Sequence, residues 1–291
     1  MARGGGFAAW RAIAVAASCL LLAACGGSSG EEPNRPGKSP KGQATLWAVG
    51  DGDASPAGQS VVQMITREKP DRFLYLGDVY DEGTADEFER NFEPSFGQLA
   101  DVGAPTPGNH DWANRDEGYR AYWENARGRP TPDYYKFSLA GWEIISLNSE
   151  APRDPDSGQV DWLRRQLDTP GNCRIAFWHA PRYSAGTNHG DDPSVASLWN
   201  ALRDRAVLVL GAHDHNMQRF KPRDGITELI SGAGGHGLYT VDERDPRLAW
   251  SDDERYGALK LELEPGLASF TFKSVDGKTL DSGKIGCRSA K

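Results

Sequence analysis

Apolar residues along the chain fall into short runs that alternate with amphipathic stretches, the pattern of a layered fold in which helices cover strands. Residues 44–50 form a continuous apolar run and read as a buried strand, followed by a helix over about 57–67. Residues 73–77 read as a second strand. Residues 85–99 read as a helix with Phe88, Phe92, Phe96 and Leu99 on one face. Residues 134–139 and 142–147 read as a β-hairpin turning at Ala140-Gly141. Val160, Leu163 and Leu167 stripe a helix over 160–167. Next come a strand over 174–178, a helix over 195–202 and a strand over 206–210. Residues 226–272 read mostly as β, with Leu259, Leu261 and Leu263 in strict alternation.

The first residues follow a different pattern. Arg3 and Arg11 precede an apolar run over 12–24 that is too short to cross a bilayer as a mature helix. The run ends in Leu22-Ala23-Ala24-Cys25, which resembles the lipobox of bacterial lipoproteins. That resemblance implies a signal peptide over 1–24, cleavage before Cys25 and acylation of Cys25. An ordinary secretory signal with a coincidental Cys is the alternative. Residues 25–42, rich in Gly, Ser, Pro and charge, read as a flexible tether. Residues 43–291 then form a single α/β domain with neither repeat nor linker. The expected location is outside the cell membrane, anchored to its outer face through the N-terminal lipid alone, or secreted. A net charge of −8 and the lack of a basic run argue against nucleic acid as a partner. Of the four Cys, Cys19 goes with the signal and Cys25 with the anchor. Cys173 and Cys287 remain, either as one disulfide in an oxidising compartment or as two buried thiols.

Candidate chemistry collects at the carboxyl ends of the apolar strands, where open α/β sheets bind ligands. Residues 46–50 run into Asp51, and 73–77 run into Asp78. Residues 105–108 lead to Asn109-His110-Asp111, 175–178 run into His179, and 207–210 lead to His213-Asp214-His215. Each alone has an ordinary explanation, since an Asp after a strand is commonly a cap or turn former. Together they are different. All six His fall in or beside strand-end or Gly-rich loops: His110, His179, His189, His213, His215 and His236.

The ordered set Asp51, Gly77-Asp78, Gly108-Asn109-His110-Asp111, His179 and His213-Asp214-His215 resembles the calcineurin-like metallophosphoesterase superfamily, most closely its purple acid phosphatase branch. The resemblance covers residues 44–274 and implies a double β-sheet sandwich flanked by helices. It also implies hydrolysis of a small phosphate-ester substrate by a hydroxide bridging two metal ions. Asp78 would bridge the ions, Asp51 and His215 would hold the first, and Asn109, His179 and His213 the second. Iron, manganese or zinc, divalent or mixed-valence, suits such nitrogen and oxygen donors. His110 is implied to contact phosphate or assist the leaving group, and His189 to contact phosphate or donate a proton. His236 would line the pocket. Arg182 would steady a bound phosphate or form a structural salt bridge. A phosphodiesterase of the same fold and a non-catalytic phosphate- or metal-binding lipoprotein are the alternatives.

Three departures from the family pattern stand out. The first motif reads Asp51-Gly52-Asp53 where many members have Asp-x-His. The phosphatase branch places a Tyr three residues after the bridging Asp, whereas Tyr80 follows Asp78 by two. Tyr80, Asp53 or water would therefore complete the first metal's ligands, with Tyr80 favoured. The last motif carries Ala212 where the family has Gly directly before His. For the anchor, replacing Cys25 by Ser should move the protein from the membrane fraction to the soluble fraction of expressing bacteria. Unchanged partitioning would remove Cys25 from that role.

Overall fold

The computed structural model describes Met1, residues 29–31 and residues 42–288. The proposed signal peptide beyond Met1, the lipobox Cys25 and most of the proposed tether lie outside the described residues. In chain order the elements are Ser29–Glu31 (β1), Ala44–Val49 (β2), Pro56–Arg67 (α1), Arg72–Tyr75 (β3), Ala85–Glu87 (α2), Gly103–Pro105 (β4), Asn109–Trp112 (α3), Ala121–Arg127 (α4), Tyr134–Leu139 (β5) and Trp142–Ser146 (β6). They continue with Gly158–Gln166 (α5), Arg174–Phe177 (β7), Ala196–Leu202 (α6), Leu208–Gly211 (β8), Met217–Phe220 (β9), Thr227–Ser231 (β10), Leu248–Asp252 (β11), Gly257–Glu264 (β12), Leu267–Ser274 (β13) and Thr279–Gly286 (β14).

The strands form two sheets, an eight-stranded one in the order β1-β5-β6-β7-β8-β10-β9-β11 and a six-stranded one in the order β14-β13-β12-β2-β3-β4. Within the first, β6, β7, β8 and β10 run parallel. Within the second, β2, β3 and β4 run parallel. Period-two alternation decides what each strand gives to each face. Leu46, Ala48 and Leu74 of the smaller sheet meet Ile175, Phe177, Leu208 and Leu210 of the larger in one buried core. The intervening residues Trp47, Val49, Phe73 and Tyr75 face outward against α1 and a layer of Phe88, Phe92 and Phe96. Ala176 and Val209 likewise face α5 and α6 through Val160, Leu163, Leu198 and Leu202. The result is a mixed α/β fold of two sheets flanked by helices, as the sequence implied.

Most expected elements appear with small boundary shifts. The hairpin turns at Ala140 (φ 50°) and Gly141 (φ 83°), both left-handed, as a two-residue turn between twisted strands demands. The helix expected over 85–99 is a correction. Pro94 lacks an amide hydrogen and cannot continue a helix, so the segment breaks into α2, a π turn over Phe88–Phe92 and a 3₁₀ turn over Phe96–Val102. Its apolar face survives: Phe88, Phe92, Phe96 and Leu99 are all buried. Within the expected tether, Ser29–Glu31 pairs with β5 as an edge strand. Among the described residues no helix is long and apolar enough to cross a membrane.

Cys173 and Cys287 are joined in a disulfide with Cα atoms 4.9 Å apart, pinning the chain after β14 to the start of β7. It closes a loop with a sequence separation of 114 residues, so its loss releases substantial chain entropy in the unfolded state. The Cys173→Ser, Cys287→Ser double variant should lose about 2–4 kcal/mol in urea unfolding. An unchanged midpoint would contradict a stabilising bridge.

Candidate metal centre

The parallel strands of both sheets end at one common edge, and loops leaving that edge cross between the sheets. The Gly50 amide donates to the Ser231 carbonyl (2.9 Å), and the Asp51 amide donates to the Gly77 carbonyl (3.0 Å). Gly77 permits a close approach. It adopts φ +100°, and a Cβ there would fall 2.8 Å from His179 Nδ1 and 2.6 Å from the Gly108 nitrogen. Asp51, Asp78 and His213 hold left-handed backbones at φ 57°, 69° and 70°. Each such residue costs roughly 1–2 kcal/mol, and the three gather where the strand ends meet.

A buried carboxylate fixes two of these loops. Asp111 is fully buried and accepts amide hydrogens from Asp78 (2.8 Å), Val79 (3.0 Å) and Gly108 (2.8 Å). The loop after β3 and the loop before α3 are thereby locked together. Asp78 in turn accepts the His110 amide at Oδ1 (3.0 Å). Its other oxygen, Oδ2, lies 3.2 Å from His179 Nε2 and 3.3 Å from the Tyr80 hydroxyl. The Tyr80 hydroxyl donates to Asp51 Oδ1 (2.8 Å) and lies 2.8 Å from His215 Nε2. Asp51 Oδ2 accepts the His213 amide (2.9 Å). His179 Nε2 and His213 Nδ1 stand 3.1 Å apart. One ligand atom each of Asp78, His179 and His213 lies within 4.8 Å of the others. Asp78 therefore joins two groups, His179 with His213 on one side and Asp51, Tyr80 and His215 on the other.

Backbone carbonyls set the imidazole orientation. His179 Nδ1 donates to the Leu76 carbonyl (2.8 Å) and His215 Nδ1 to the Gly237 carbonyl (2.7 Å). Each ring then turns its Nε2 into the cluster, where it can offer a lone pair once that nitrogen is unprotonated. In the metal-free protein this concentration of lone pairs and carboxylates is severe. Burial would raise Asp78, but His179 and His110 together outweigh it and hold the carboxyl down to about 2. Burial opposes the charge on His179, yet Asp78 lifts its imidazolium to about 10. Burial, aided by the like charge of Asp78, raises Asp51 to about 7 against the pull of His179. Burial and then His179 depress His213 to about 2. A cation among these groups satisfies all of them at once, so the donor set fits metal ions.

The remaining expected residues sit around this cluster. His110 Nε2 lies 4.0 Å from Asp78 Oδ2, while its Nδ1 faces the Asp81 carbonyl. Asn109 occupies the exposed first position of α3, beside the His110 amide. The His189 ring stacks on His213 with centroids 3.9 Å apart, and His236 stacks on Tyr80 at 4.0 Å. Asp53 Oδ1 accepts the Ser55 amide (3.0 Å), and its Oδ2 lies 3.8 Å from His236 Nδ1. Arg182 does not join the cluster: its guanidinium lies over the Tyr183 ring at 4.5 Å and its amide donates to Glu228. The apolar ring of its own neighbour captures it, a packing that spacing alone does not reveal. Reading the sequence also gave no role to Asp111, to Asp214, or to Tyr239, whose ring stacks on His215 at 3.9 Å. Asp111 and Asp214 sat inside the quoted motifs; Tyr239 carried no local signal.

The chain belongs to the calcineurin-like phosphoesterase family, whose model matches residues 55–217, more than half of the sequence. The family is one of phosphoric ester hydrolases, and Asp78, His179 and His213 are a candidate site for its metal centre. The chain is 28% identical over 184 residues to "Purple acid phosphatase 21" of Arabidopsis thaliana, covering 55% of this chain and 41% of that protein. It is 25% identical over 189 residues to a "Probable cyclic nucleotide phosphodiesterase" of Synechococcus sp., covering 60% and 69%. The purple acid phosphatase PPD1 from yellow lupin (Lupinus luteus) seeds superposes with a TM-score of 0.67 at 15% identity, covering 87% of this chain and 55% of that one. The chain thus spans about two fifths of the Arabidopsis protein's length.

Asp111 is the structural keystone of the cluster that can be tested by stability alone. Asp111→Asn replaces one acceptor oxygen by a donor and leaves at least one buried amide unpaired. Urea unfolding of the metal-free protein should show a loss of about 1–3 kcal/mol. An unchanged midpoint would contradict the role of the carboxylate.

Proposed function

We propose that this chain is a phosphomonoesterase of the acid phosphatase kind, working with two metal ions. The observation that carries the proposal is the convergence of Asp51, Asp78, Tyr80, His179, His213 and His215, with Asp78 shared between the two halves of the cluster. Asp51, Tyr80 and His215 would hold one ion, Asn109, His179 and His213 the other, with Asp78 between them. Once bound, the ions would neutralise phosphate charge and acidify water. The chain's own groups supply the rest. Tyr80, pushed above its ordinary range by burial and by Asp51 and Asp78, keeps its proton and donates it to Asp51 in the metal-free protein. The Asp81 carbonyl fixes the His110 ring at the rim, 36% exposed, so that Nε2 is free to hold a proton for the departing alkoxide. His189 and His236 stand over His213 and Tyr80, where a phosphate or its organic group would enter, and the His189 imidazole would serve with His110 in delivering a proton to the leaving group.

A second reading, hydrolysis of phosphodiesters, is favoured by the phosphodiesterase match, which covers 69% of that protein. We further propose that the domain is exported and held at the membrane by Cys25. The disulfide between Cys173 and Cys287 supports an oxidising compartment.

Metal analysis and turnover of p-nitrophenyl phosphate and bis(p-nitrophenyl) phosphate test the reading. Asp78→Asn should lose metal and turnover together. His110→Ala should keep its metal and lose about 10²-fold or more in kcat on phenyl phosphate, whose poor leaving group needs a proton. Faster turnover of the diester would favour the second reading. Metal bound without turnover of either ester would make the chain a binding protein, and normal turnover by Asp78→Asn would overturn the mechanism.

A further inference from the structure

His189 reaches the cluster on a loop whose start is held by Gln218, which accepts the Ala185 amide (2.8 Å), and by Asp191, which accepts the Ser184 amide (3.0 Å), while Asp214 meets its His189 end from below. Asp214, between His213 and His215, is fully buried. Its Oδ1 accepts the His189 amide (3.3 Å), and its Oδ2 accepts the Gly190 amide (3.2 Å) and the Ser184 hydroxyl. The Ser184 oxygen is then committed, accepting the Gly186 amide (3.0 Å) and Gln218 Nε2 (3.0 Å). The backbone packs flat against the carboxylate: a Cβ at Gly186 would fall 2.2 Å from Asp214 Cγ. Thr187 closes the far side by donating its amide to the Thr240 carbonyl (2.9 Å). The His189 ring at the end of this chain of contacts lies on the His213 ring.

We propose that Asp214 is a positioning residue whose carboxylate holds the loop over 184–190 so that the His189 imidazole stands over His213 at the mouth of the metal centre. The chemistry demands a carboxylate. Both oxygens face donors, and an Asn has only one acceptor oxygen, so Asp214→Asn sets an amide NH₂ against an N–H or a committed hydroxyl. Asp214 acts through His189 rather than on the ester itself, and this inference rests on the phosphatase reading given above.

The test uses metal-loaded wild type, Asp214→Asn, His189→Ala, their double variant, and Gly186→Ala, whose added methyl forces the loop and the Asp214 carboxylate apart while leaving the carboxylate chemically intact. Bound metal and steady-state turnover are measured with phenyl phosphate and p-nitrophenyl phosphate. Asp214→Asn and Gly186→Ala should each keep their metal and lower kcat on phenyl phosphate about tenfold or more, with KM changed less. The loss should shrink on p-nitrophenyl phosphate, whose leaving group needs little proton assistance. The double variant should be no slower than His189→Ala, because Asp214 has nothing left to position. Losses that multiply in the double variant, or wild-type kinetics in both Asp214→Asn and Gly186→Ala, would overturn the proposal. Should wild type turn over neither ester, the phosphatase reading fails by itself. Positioning is then decided by the His189 ring signals in NMR spectra: displaced signals in Asp214→Asn uphold it, unchanged signals overturn it.

Discussion

Two carboxylates, Asp51 and Asp78, are shut away from water within reach of one tyrosine hydroxyl, and the architecture around them answers that constraint. Burying like charges together is unfavourable unless positive charge arrives with them. In the metal-free protein the relief is partial: Asp78 keeps its charge by drawing a proton onto His179, while Asp51 is driven up to about 7. Carbonyls at Leu76 and Gly237 turn two imidazoles so that their Nε2 atoms point inward. A site arranged in this way is stabilised by cations and strained without them.

Rigid surroundings maintain the arrangement. Two sheets packed through Leu46, Ala48, Phe177 and Leu210 bring their strand ends to one edge. Left-handed backbones at Asp51, Asp78 and His213 cost energy that the sheet core repays. Behind the inward-facing groups, Asp111 and Asp214 do parallel jobs. Each is a fully buried carboxylate that collects donors from neighbouring loops, Asp111 beneath Asp78 and Asp214 beneath His189.

Much of this was legible in the sequence. Apolar runs ending in Asp51, Asp78, His179 and His213 gave both the strands and the edge where they meet, because period and chemistry coincide there. The Tyr80 hydroxyl donates to Asp51 while Asp53 accepts the Ser55 amide, a difference that residue offset alone does not reveal. Other features left no pattern to read. β4 is three residues containing Gly and Pro, and β14 is too polar to stand out. The helix over 85–99 misled because apolar period outweighed Pro94. Arg182 was placed by charge, whereas the Tyr183 ring beside it decided where it rests. Asp111, Asp214 and Tyr239 depend on contacts between distant loops.

The central claim is that Asp78 is shared by two cations. Anomalous diffraction from crystals grown with manganese tests it most directly. The account predicts two peaks, one among Asp51, Tyr80 and His215 and one among His179 and His213, each beside Asp78. A single peak away from Asp78, or none at full manganese loading, would contradict it.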